Sequence, residues 1–213
     1  MEYAPRMFVP GTRSIMPRPF LVLFLLALTA VPTPSHAQRG AVTAARSLDQ
    51  LTQEAEIIVH GYLTSARVEP HPQFKNLMTV VVSVSAQETL KGTPRKTLEF
   101  RQYIWDIRDQ LDAARYRKGQ EVVLLLGPVS KYGLTSPVGL EQGRFVVHRT
   151  AAGAAVAMNG RGNIGLFHAT MSRVRARGIA LPSSTATMVQ RDQPGPVPLA
   201  DLKDAIRAFV RAQ

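Results

Sequence analysis

His60, His71, His148 and His168 are the residues of this chain best suited by type to proton transfer or metal binding, and their spacing supports neither. None falls in a His-x-x-x-His or His-Glu-x-x-His pattern, and the chain has no cysteine to complete a zinc set. No nucleophile with an adjacent base is legible, so neither a catalytic residue, a metal ligand nor a cofactor site is expected. The alternative is an enzyme of unrecognised type, in which His60 or His148, each on a strand-like segment, meets a carboxylate across the fold. The run Asn159-Gly160-Arg161-Gly162-Asn163-Ile164-Gly165 has the glycine density of a phosphate-cradling loop. It lacks the Gly-Lys-Ser/Thr ending and the strand-to-helix setting, and reads as a flexible turn. Asp106, Asp109 and Asp112 step by three and share one helical face. Arg108 and Arg115 are near enough in sequence to pair with them, and calcium-loop spacing is absent.

Two surface features remain. Arg173, Arg175 and Arg177 alternate with small residues; an extended backbone would point all three guanidiniums the same way, whereas a helix would spread them. They are the candidate anion contact, although arginines in a solvated segment need no partner. Few aromatics lie near them for base stacking, so sequence-specific nucleic-acid binding is not expected. Tyr103 and Trp105 are the candidate contact aromatics, the alternative being an aromatic strand packed beneath the C-terminal helix.

The N-terminal region bears on where such chemistry would take place. A basic stretch runs into an apolar segment from Phe20 to Val31, closed by Pro32 and Pro34 and followed by Ser35-His36-Ala37. About a dozen apolar residues fall short of the ~20 needed to cross a bilayer, and small residues at −3 and −1 form an export cleavage site. Residues 1–37 therefore read as a signal peptide, with either Met1 or Met16 able to begin it, and the processed chain as periplasmic or secreted. The formal charge of the whole chain is +11; the leader holds Arg6, Arg13, Arg18 and Glu2, so the remainder carries +9. Such a surplus draws anionic partners at long range and says nothing about fold. An anionic envelope polymer or another envelope protein is the expected partner. No later apolar run reaches membrane length, and without cysteine the exported core must hold by packing alone.

The elements that would position these residues follow from periodicity. Residues 38–46 lack large apolar side chains and are expected to be flexible. Ser47 and Gln50 form a capping pair for a short helix with Leu48, Leu51 and Ala55 on one face. Residues 57–63 are β-branched and aromatic around Gly61, which suits a bulge; Asn76 to Leu90 is a long half-buried strand in which Met78, Val80, Val82, Val84 and Ala86 alternate with polar residues. Leu98 and Phe100 mark a third strand, 106–118 is weakly helical, and 121–126 is apolar enough to be buried on both faces. Residues 143–149 and 154–158 form a final hairpin. Residues 47–160 thus make one β domain, 161–197 an irregular segment containing Gly, Pro and Ser, and 198–213 an amphipathic helix with Leu199, Leu202, Ala205, Ile206 and Phe209 in its stripe.

Ser47 to Leu63, Glu88-Thr89-Leu90-Lys91-Gly92, Tyr116 to Leu126 and Gln142 to Val147 together resemble a loose group of uncharacterised exported bacterial proteins. These are similar in plan to tissue-inhibitor and netrin-like modules. The resemblance implies a mainly β fold: an OB-like closed or partly open β-barrel of five to six strands with flanking helices. It rests on packing and turn residues and carries over no functional residue. The inhibitor module acts through an N-terminal cysteine, which this chain lacks. The overall expectation is an exported, non-enzymatic binding or structural domain. N-terminal sequencing of the protein recovered from outside the cytoplasm is expected to begin at Gln38; an uncut leader would refute the export reading.

Overall fold

The computed structural model describes residues 43–213; the leader and its cleavage site lie outside the described residues. The chain forms α1 (Leu48–Glu54), β1 (Ile57–Pro70), β2 (Met78–Lys91), β3 (Thr97–Tyr103) and α2 (Ile107–Leu111). It continues through β4 (Glu121–Leu126), β5 (Arg144–Arg149), β6 (Ala155–Asn159), α3 (Thr170–Ala176), α4 (Ser183–Arg191), β7 (Val197–Pro198) and α5 (Leu199–Arg211). The strands make one antiparallel sheet of order β3-β2-β1-β4-β5-β6-β7. The fold is mainly β with flanking helices, as the sequence implied, but among the described residues it has seven strands rather than five or six and is not closed into a barrel. Closure would need an edge strand to find a partner. At the β3 edge the loop after β4 supplies only the Thr135 amide, bonded to Arg101 O at 2.9 Å.

Both faces of the sheet are covered. Val122, Leu124 and Leu126 of β4 join Val59, Val80, Val82, Val84, Leu98 and Phe100 in one core. Val123 and Leu125 point the other way, into a second core with Ile58, Phe145 and the apolar stripes of α1 and α5. A run of alternating but uniformly apolar residues is what a doubly buried strand requires. At about 1.5–3 kcal/mol for each fully buried aliphatic side chain, these layers dominate the stabilisation.

β1 pairs with β4 in unbroken register and with β2 through register shifts at 58/59, 60/61 and 63/65. Gly61 sits at one shift, where a Cβ would lie 2.2 Å from Ser85 O. The glycine is needed for close backbone approach, in line with the expected bulge.

Three expectations change. Residues 161–197 are not irregular: they contain α3 and α4, whose sparse apolar residues Val174 and Val189 are nonetheless buried in the second core, with Met188 packed against it. The turn at 159–165 is anchored rather than flexible. Asn159 Oδ1 accepts from the Asn163 amide, Asn163 Oδ1 accepts from the Asn159 amide, both at 2.9 Å, and both residues are buried. Residues 43–46, expected to be flexible, are pinned by buried Gln142, whose side chain accepts from Arg46 N and donates to Thr43 Oγ1 and Ala44 O. Gly61→Ala is expected to lower stability by about 1–3 kcal/mol, read as a reduced urea midpoint, because backbone must move to admit the methyl group.

Candidate functional site

Two of the histidines, His60 and His71, are used internally, and His148 and His168 are exposed. His60, 9 % exposed on β1, places Nε2 2.9 Å from Glu121 Oε1, and Arg149 donates to Glu121 Oε2 at 3.2 Å. This is the His–carboxylate meeting that the alternative reading required. Among the described residues, however, no hydroxyl is bonded to the other ring nitrogen. Buried His71 accepts at Nδ1 from the amides of Gln73 and Phe74, so it is Nε2 that donates to Tyr132 O, at 2.8 Å. That geometry selects one neutral tautomer and makes His71 a loop fastener. His148 is exposed on β5, and His168 is exposed with Asp192 3.9 Å away. Among the described residues no His, Cys, Asp or Glu group could hold a metal ion.

The arginine cluster does not act as a unit. Because 170–176 is helical, the three side chains diverge, and Arg173 is turned inward: Nε lies 2.6 Å from Asp49 Oδ2, and Nη2 reaches Ser47 Oγ and Asp49 Oδ1. It clamps α3 to the start of α1, leaving Arg175 and Arg177 exposed. Lys203 and Arg207 likewise fasten α5 to Glu88 of β2. Arg144 donates to Ala114 O and lies over the Tyr116 ring, and burial pushes the Tyr116 phenol up to about 12. Asp106 and Asp112 cap α2 and the turn at 113–115.

The aromatic pair is placed differently from its packing alternative. Trp105 is 64 % exposed, and its ring meets Tyr103 edge-on at 4.7 Å between centroids. Instead of lying beneath α5, both line an open groove of about 520 Å³ whose walls include Pro128, Leu134, Pro137 and the Arg46–Glu54 ion pair. A second groove of about 310 Å³ lies beside Leu98, Phe100, Arg95, Ile57 and Val129. Gly127 and Thr135 line both. Together they form a cleft along the free edge of β3, crossed by the Thr135–Arg101 hydrogen bond.

The cleft owes its shape to the loop from 127 to 136. Gly133, at φ 72°, closes a tight turn in which Ser130 N donates to Leu134 O, and Thr135 Oγ1 donates to Gly127 O at 2.7 Å. The sequence presents this stretch only as a connection containing Gly and Pro. Its position opposite β3 depends on strand order, so Arg95 and the loop residues carried no signal beyond turn chemistry. No protein-family description matches the chain, and neither a curated protein nor a solved structure is significantly similar to it.

The internal ion pairs make stability depend on pH. Burial opposes ionisation of Glu88, Asp49 and Glu121, but hydrogen bonds from Arg207 and Lys203, from Arg173 and Ser47, and from His60 respectively outweigh it and hold each carboxyl below its usual value. Asp109 runs the other way, raised chiefly by burial. Carboxyls lowered on folding stabilise above their unfolded values, 4.5 for Glu and 3.8 for Asp, and lose that contribution as pH falls through the folded ones. The urea midpoint is therefore expected to hold from neutrality to about pH 5 and then fall, the fall being shallower in Glu88→Gln.

Proposed function

We propose that this protein is an exported, non-enzymatic binding domain whose contact face is the cleft along β3, with Trp105 and Tyr103 at one end. The observation that carries this reading is the exposure of Trp105. A large aromatic held in water beside a second aromatic and a walled groove is a surface prepared for contact, since folding alone favours its burial. The internal use of His60, His71, Glu121 and Arg173 supports a binding role over a catalytic one.

The export part rests on the leader pattern of residues 1–37. An OB-like plan is supported by β1, which is long, bends at Gly61 and pairs on both sides, although the sheet stays open. The partner class is an envelope protein or an anionic envelope polymer. The positive balance favours this, as do exposed Arg175 and Arg177, while Arg173 no longer contributes. Among the described residues no helix is long and apolar enough to cross a membrane.

Trp105 is the single tryptophan of the chain, so its emission reports directly on the cleft. Titration with heparin and with anionic vesicles is expected to change that emission at low salt and to lose the effect at high salt. By anisotropy of labelled heparin, Trp105→Ala should weaken binding by about tenfold, with an unchanged melting temperature. Binding that ignores salt would remove the anionic partner. Binding that ignores Trp105 would remove the cleft.

A further inference from the structure

The hydrogen-bond phase of β3 shows what kind of chain its edge can accept. Ala86 N donates to Lys96 O and Ile104 N donates to Met78 O, so the even-numbered residues of this strand direct their backbone groups toward β2. Thr97, Glu99, Arg101 and Tyr103 then direct theirs toward the cleft, because consecutive residues of a strand alternate. Arg101 O does accept from Thr135 there. Among the described residues, the amide and carbonyl of Thr97 and Glu99 and the amide of Arg101 have no partner. The loop has supplied one rung of a ladder and left the next ones open, over a groove of about 310 Å³.

Exposed edges are ordinarily protected by charge, yet the charges on this one are directed elsewhere. Glu99 is bonded to Ser83 Oγ at 3.0 Å and lies 3.9 Å from Arg67, while Arg101 is bonded to Glu69 and Thr79. Arg95, just before the strand, donates its amide to Thr89 Oγ1 and its guanidinium to Thr93 O, and it has no acidic partner among the described residues. Leu98 and Phe100 turn their side chains to the core side of the groove, where Ile57, Leu126 and Val129 face them.

Resting on the reading of this cleft as the contact face, we infer that its occupant is an extended, acidic segment of a partner polypeptide that adds as an antiparallel strand to β3. Its backbone completes the rungs at Glu99 and Thr97, where a polymer without regularly spaced amides could not. One apolar side chain enters the groove beside Leu98 and Phe100. Antiparallel polarity brings the C-terminal side of the segment to Arg95, which an acidic residue there neutralises.

The test selects phage-displayed random heptapeptides on the wild-type chain, on Glu99→Pro and on Arg95→Glu. Glu99→Pro removes an amide that β2 does not use and sets a ring in the cleft; Arg95→Glu inverts the charge of a groove-lining cation that has no acidic partner among the described residues. Enrichment of peptides acidic near their C-terminal end is expected on the wild type, at least about tenfold weaker on Glu99→Pro, with a basic preference on Arg95→Glu. A selected peptide should also slow hydrogen exchange at the Glu99 amide by about tenfold. Equal enrichment on Glu99→Pro, no enrichment on the wild type, or binding without slowed exchange at Glu99 overturns the proposal. If Glu99→Pro does not fold, the inverted preference of Arg95→Glu and the Glu99 amide decide. Heparin or vesicle binding sensed by Trp105 without peptide enrichment would sink strand addition while leaving the binding domain standing.

Discussion

The fold depends on the burial of β4 from both sides. Its alternating side chains enter two cores, one inside the curl of β1, β2 and β3 and one beneath the helices. An antiparallel sheet usually leaves one face to water. This sheet leaves neither uncovered along its centre, and that demand sets the rest. β1 must coil sharply to pair with β2 and β4 at once, and Gly61 makes the coil sterically possible against Ser85 O. Helices α1, α3, α4 and α5 must dock to roof the second core. The inner core is covered by the curl itself together with Ile104, Ala114 and Tyr116 from the segment after β3, and the curl stops short of closure, leaving β3 with an open edge among the described residues.

Cationic side chains hold the docked pieces in register. Arg173, Lys203 with Arg207, and Arg144 each join elements that apolar packing alone would leave free to slide. A guanidinium forms several directed hydrogen bonds at once, so it fixes orientation as well as distance. The strongly basic composition therefore does two jobs. Part of it is internal fastening, and the remainder is solvent-facing charge. Because the fastening cations are paired with carboxylates, the positive surplus stays with the solvent-facing share, and the proposed anion affinity rests on it.

The cleft follows from the same constraint. Because the sheet stays open, the loop after β4 rests near β3 without becoming a strand, and the gap between them exposes backbone and aromatic surface together. A binding face of this kind needs no catalytic constellation. It is a by-product of curvature that Trp105, Tyr103 and Arg95 furnish with contact chemistry.

Local features were legible from residue order. The Ser47–Gln50 capping pair, the bulge at Gly61, the inward Leu98 and Phe100, the doubly buried 121–126 run and the apolar stripe of α5 all follow from periodicity and turn chemistry within a few residues. Helices α3 and α4 leave little trace in residue order because few large apolar residues mark them and their stability comes from what they pack against. The Arg173–Asp49 clamp is not legible because its partners lie more than a hundred residues apart, and the local Asn159–Asn163 pair reads as a free turn because the contact to Gly195 O that helps bury it comes from a remote segment. Tyr103 and Trp105 could be singled out in sequence, but only strand order decided between core and surface for them. Sequence alone thus determined strand and helix character and the chemical types available. Tertiary structure decided which charges were neutralised, which edge stayed unpaired and hence where a partner can bind, because each of these depends on distances between residues remote along the chain.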